Sequence, residues 1–221
     1  APAKPKPPYT PPEFKEGDLA TMDAAALIAI LKDPGASDFK KAKASVRAGE
    51  LGAKEAVPAL VALLTNEHLS TYARYGLEPI ADPSVDDALR AQLTKLQGNF
   101  LIGVINSIAK RRDAKAVPAL SKLLSNSNQD VARAAASALG HISGPVAKKD
   151  LLAALPKATG MMKATVADAG LICAERLIAD GKRDEGLALY ASLGAPNVPK
   201  AQRLAALSAI VREETSINRP K

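Results

Sequence analysis

The sequence predicts an all-α chain, an α-α superhelix built as a short right-handed solenoid of about six helix pairs. Three observations carry this. A five-letter string, AVPAL, stands at 56–60 and again at 116–120 in matching surroundings. Apolar residues recur at helical spacing, and no window sustains strand alternation. Aromatics are 3% of the 221 residues against 47% hydrophobic overall, so the apolar mass is Ala, Leu, Ile and Val. Small aliphatic side chains suit close helix packing, whereas strands favour aromatic and β-branched residues.

The elements follow in order. Outer helices are expected near 23–32, 56–65, 84–96, 115–125, 147–156 and 183–193. Inner partners are expected near 38–50, 69–81, 98–111, 129–142, 161–180 and 200–214. Pro58 and Pro118 fall in a first helical turn, where a missing N–H costs nothing. Ser84 and Asp130 read as N-caps. Gly52, Gly140, Gly144 and Gly160 read as helix ends. One pair alone cannot bury its apolar stripe, so stacked pairs must share a continuous core. Ala135, Ala136 and Ala138 cluster where an inner helix should be most enclosed. A single solenoid is expected over 19–214. Residues 1–18 read as a flexible Pro/Lys-rich arm, with six prolines in the first twelve residues, and 215–221 as a polar tail.

Composition bounds the function. One Cys excludes an internal disulfide, and one Cys with two His cannot form a structural zinc site. Cys173 lies in the apolar run GLICAERLI and reads as a buried small hydrophobe. No apolar run is long enough to span a bilayer. No P-loop, dinucleotide fingerprint, HExxH or nucleophile elbow occurs. No cofactor, metal or catalytic residue is therefore expected. The small-residue start and Pro/Lys linker look like a mature N-terminus, so an exported (periplasmic or extracellular) protein is expected, its signal peptide removed.

The motif AVPAL-x-x-LL, followed by D-x-x-R-x-x-x-x-x-LG as in Asp130 to Gly140, resembles the HEAT-like repeat family in its phycobilisome-lyase-like subtype. The stretches YARYGLEPIADPSVDDALRAQL (72–93) and GVINSIAKRRDAKAVPAL (103–120) look like a narrower group of exported bacterial HEAT-repeat proteins. Some of these carry additional catalytic or haem-binding domains. The chain has no CxxCH motif, and the resemblance lends it no catalytic residue. It implies a non-enzymatic scaffold that binds another protein on a concave inner-helix face.

Several residues are candidates for that face. Arg74 and Glu78 are spaced for an i,i+4 pair in the weaker order, about 0.3 kcal/mol when exposed. They read either as a charged hot spot or as part of a ladder in which Arg74 and Arg133 brace adjacent repeats. Aligning the inner helices sets Glu78, Asn106, Ser137 and Glu175 in one polar column. Lys110, Arg111 and Arg112 suit a helix C-terminus, or contact an anion together with Lys54, Lys148 and Lys149. Tyr72 and Tyr75 read as core with Phe100, or as interface anchors. His68 and His141 read as surface or capping residues, and Met161 and Met162 as packing.

The net charge is +7, but nucleic-acid binding is disfavoured because stacking aromatics are scarce. The alternatives to a scaffold are an accessory subunit or lyase-like chaperone of an enzyme or cofactor-carrying protein, and a basic nucleic-acid binder. A monomer or weak oligomer is expected.

Overall fold

Proline and short polar side chains set where many of the helices begin, as the computed structural model shows. It describes residues 21–217. The arm at 1–18 lies outside the described residues. Of the expected tail, 215–217 continue the last helix and 218–221 lie outside. Among the described residues there are twelve α-helices and no strand. Two compact units divide after Ala88.

The first unit holds α1 (Ala24–Lys32), α2 (Asp38–Glu50), α3 (Val57–Ala62) and α4 (Ser70–Leu77). The Asp23 side chain caps α1 and the Ser37 side chain caps α2, each accepting a backbone N–H of the first turn. A 3-10 turn, Lys54–Ala56, leads into α3 with Pro58 in its opening turn. α1 pairs with α2, α3 pairs with α4, and α2 packs along α4. Leu27, Leu60, Leu64 and Leu77 are wholly enclosed at its centre.

The α2–α4 crossing is unusually tight. A Cβ placed on Gly76 would lie 2.3 Å from the Ser45 carbonyl oxygen. Only glycine lets the two backbones meet there.

α5 (Pro83–Gln92) spans the division. The second unit continues with α6 (Gly98–Arg111), α7 (Val117–Leu123), α8 (Gln129–Ile142), α9 (Pro145–Ala154), α10 (Gly160–Ala179), α11 (Arg183–Leu193) and α12 (Lys200–Ile217). The inner helices stack α6 on α8 on α10, while α7 pairs with α8, α9 with α10 and α11 with α12. Ile105, Ile108, Leu120, Leu139 and Tyr190 fill the core. Ala135, Ala136 and Ala138 are buried as expected. Gly140 closes the α8–α10 crossing, since a Cβ there would lie 2.5 Å from the Ala169 carbonyl oxygen.

The structure corrects several junctions. Asp82, not Ser84, accepts an N–H at the start of α5: its Oδ1 takes the Ser84 N–H at 2.9 Å. Pro83 opens that helix, which moves the cap one residue earlier. Asn128, not Asp130, caps α8 by accepting the Asp130 and Val131 N–H groups. Asp130 instead sits in the first turn, where a carboxylate favours the helix dipole. Gly140 is interior to α8 and Gly160 begins α10. The inner helix expected to reach 81 ends at Leu77, with Pro79 soon after it. A proline disfavours the α conformation of the residue before it.

Candidate functional site

The inner helices carry the expected contact residues, and each unit presents its own set. In the first unit, Tyr72 and Tyr75 stand on α4 at 42% and 52% exposure. Their ring centroids are 6.5 Å apart with planes at 89°. This edge-to-face geometry suits the aromatic quadrupoles. The pair is therefore not core, contrary to one sequence expectation. The interior of α4 is filled by Ala73, Gly76 and Leu77, which turns the tyrosines outward. Arg74 stays on its own helix, donating from Nη2 to Thr71 Oγ1 at 3.2 Å. Glu78 is the half-buried residue that ends α4. His68 lies on the surface, as expected, with Nδ1 2.7 Å from Asp38 Oδ2.

In the second unit, the last turns of α6 and α8 meet the α10 residue Arg176 around a groove of about 410 Å³. Its lining is Asn106, Ala109, Lys110 and Arg112, then Ser137, Ala138 and His141, then Arg176. Ala109 and Ala138 form a low floor because both are buried, and Asn106 and Lys110 are exposed beside it. Of the expected polar column, Asn106 and Ser137 do share this groove. Glu175 is not part of the lining, and its neighbour Arg176 is.

Arg112 ends α6 in the left-handed conformation at φ 53. From there its guanidinium reaches across to Asp180, with Nη2–Oδ2 2.5 Å and Nη1–Oδ1 3.3 Å. The hydrogen bond from Arg112 holds the Asp180 carboxyl below the usual carboxylate range, and it pushes the Arg112 pKa up in turn.

The other expected cations are deployed elsewhere. Lys148 is committed to Glu185 at 2.8 Å, and that bond lowers the Glu185 pKa. Lys149 does not line the groove, and Lys54 belongs to the first unit. Arg111 is half-buried and outside the lining. Arg133 pairs with Asp130 on its own helix rather than bracing a neighbour. It lines a different groove, of about 470 Å³, with Gln129, Met161 and Met162. Met161 is 68% exposed there, so it is not packing as expected. α10 begins only at Gly160, which leaves this first-turn side chain at the rim.

His141, Arg176 and Asp180 were missed as site residues. Aligning the inner helices by their ends sets His141 level with Lys110, whereas Arg176 falls level with Ile108 and Leu139 and is not found that way.

The remaining reactive groups are enclosed. Cys173 is fully buried, and burial pushes its thiol pKa up. The Ser143 hydroxyl donates to the Cys173 carbonyl at 3.2 Å. Burial pushes Tyr190 up to about 12. Among the described residues, no group of three or more His, Cys, Asp or Glu is placed to hold a metal ion. No described helix is long and apolar enough to cross a membrane. An apolar stripe of Leu204, Leu207 and Val211 is exposed along α12.

Comparison with known proteins agrees with this architecture. Residues 87–169 match the family model of HEAT repeats. An engineered protein of known structure is 18% identical with a TM-score of 0.52, over 88% of this chain and 98% of that one. That likeness is one of fold. A second engineered protein is 20% identical with a TM-score of 0.49, over 85% of this chain and 57% of that one. The complex of CpcE and CpcF of phycocyanin lyase from Nostoc sp. PCC7120 gives 18% identity and a TM-score of 0.43, over 86% and 81%. No curated protein matches the sequence.

Proposed function

We propose that the chain, whose residues 87–169 match the family model of HEAT repeats, is a non-enzymatic scaffold that binds another protein on its inner-helix faces. One observation carries this reading: Tyr72 and Tyr75 are exposed together on α4. Four tyrosines and three phenylalanines are all the aromatics in the chain. Placing two of them side by side in solvent leaves apolar surface that a partner can cover. Tyrosine and arginine dominate interface hot spots, and Arg74 lies between the two rings in sequence. Glu78 in the first unit, and Asn106, Lys110, Arg111, Arg112 and Arg133 in the second, are the proposed polar contributors.

The test is capture of a partner from the envelope fraction, following the proposal that the protein is exported. Wild type is compared with a Tyr72→Ala, Tyr75→Ala variant of unchanged helical circular dichroism. A protein held by wild type and lost by the variant supports the reading. Equal retention by both removes the tyrosines from the interface. A captured protein that carries a pigment or other cofactor would point instead to an accessory subunit or chaperone.

A further inference from the structure

We infer that the groove at the ends of α6, α8 and α10 binds an acidic peptide segment. This rests on the scaffold reading and goes further by giving a partner's contacting segment its chemistry. The lining brings Lys110, Arg112, Arg176 and His141 together from three stretches of chain, with no Asp or Glu among the lining residues. A helix C-terminus favours cations because its unpaired carbonyls carry partial negative charge. That explains one basic residue at each end. Stacking of α6, α8 and α10 brings those ends side by side, and the alanine floor makes them one depression.

The protein already demonstrates the recognition within itself. Asp180 reaches Arg112 over 68 residues of sequence and forms a two-pronged pair. Arginine meets carboxylates in this forked geometry better than lysine does. Arg176 also lowers the Asp180 pKa electrostatically. The rim is thus a site where one guanidinium already holds a carboxylate in a forked pair and a second acts on it electrostatically. Asn106 and Ser137 add an amide and a hydroxyl at the wall, which are the groups that pair with a peptide backbone.

A peptide fits better than nucleic acid. No Phe, Tyr or Trp lines the groove, so bases find no large aromatic platform to stack on. The volume of about 410 Å³ is that of a pocket for a few side chains. A duplex needs an extended basic surface.

The experiment is fluorescence anisotropy with a labelled oligo-glutamate peptide on the full chain, with oligo-glutamine as the neutral control. Oligo-glutamate should bind and oligo-glutamine should not. Binding should weaken as salt rises from about 0.05 to about 0.3 M, because exposed charges are screened. Lys110→Ala with Arg176→Ala should weaken it by about tenfold or more, and Arg176→Glu should abolish it. Both side chains are exposed, and unchanged circular dichroism checks the fold.

No binding of oligo-glutamate by wild type overturns the inference. So does equal binding by the Lys110, Arg176 variant, or equally tight binding of duplex DNA at the same salt. The two proposals fail separately. If the tyrosine variant loses a partner while oligo-glutamate binding is absent in wild type, the scaffold reading stands and this one falls.

Discussion

The turn that opens α3 and the turn that opens α7 lead into the same five letters, AVPAL, with nearly the same backbone. Ala56 lies at φ −79, ψ −13 and Ala116 at φ −78, ψ −17. Val57 and Val117 differ by a degree in ψ. Leu60 and Leu120 are both wholly enclosed. What differs is the residue just before each turn. In the first unit it is Ala53, with no side-chain cap. In the second it is Asp113, whose side chain accepts the Lys115 N–H at 3.1 Å and pairs with Arg90 of α5. The repeat motif therefore dictates local shape in both places, while the means of anchoring that shape is free to vary. An apolar Ala seals one copy, and a nearly buried carboxylate ties the other to the preceding helix.

The largest test of this contrast is to make the second copy like the first. Asp113→Ala leaves the mostly enclosed Arg90 without this carboxylate and removes the cap of the 3-10 turn. It should cost about 2–4 kcal/mol in urea unfolding. Ala53→Asp should give no comparable gain, since an added carboxylate would lose solvation at a site that needs none. Equal and small effects at both positions would mean that the ion pair anchors nothing.

Next come the two tight crossings. Gly76→Ala and Gly140→Ala each place a methyl group into a facing carbonyl. Each should lower stability by about 1–3 kcal/mol, read as a shift in melting temperature. A loss at one crossing and none at the other would show that the indifferent crossing can open.

The matched backbones predict a smaller and equal pair of effects. Pro58→Ala and Pro118→Ala should each cost about 0.4–1 kcal/mol, because each proline restricts the unfolded chain at a φ the helix already needs. A large difference between them would break the equivalence of the two turns.

The smallest effect concerns pH. The Asp180 pKa is depressed in the folded protein by Arg112. Between the ordinary aspartate value and the depressed one, the unfolded chain binds more protons than the folded one. The pair's contribution is therefore fully present above about pH 4 and is lost as pH falls through the folded pKa. Asp180→Asn should make the melting temperature fall less steeply over that acid range. An unchanged slope would mean that the pair is decorative.

Much of the fold was legible because its determinants are local. Pro58, Pro118 and the Ser, Asp and Asn side chains before helices act within four residues, and periodicity shows which side must be buried. The errors were local competitions as well. Asp82 outranked Ser84 because Pro83 claimed the first helical position, and Asn128 outranked Asp130 because its side chain already accepts the Asp130 and Val131 N–H groups. The candidate site was legible only in part. Lys110 and Arg112 were in view because they end one helix, and Asn106 because it falls in the polar column of the aligned inner helices. Arg176 and Asp180 were not, because nothing near them in sequence points to α6. For Tyr72 and Tyr75 the sequence left core and interface anchor both open, because scarcity of aromatics says nothing about which side of a helix they occupy.

The sequence by itself determined an all-α chain, the phase of its repeats, and most helix limits to within a few residues. Each of these follows from interactions between near neighbours along the chain. Tertiary structure alone decided which side chains share a surface. One residue around a helix is a rotation of about 100°, so a small change in how α4 or α10 is turned would exchange an exposed residue for a buried one. The left-handed backbone at Arg112 then selects where its guanidinium reaches. Across 68 residues, only the packing of α6 and α10 against α8 brings Arg112 and Asp180 within a hydrogen bond of each other.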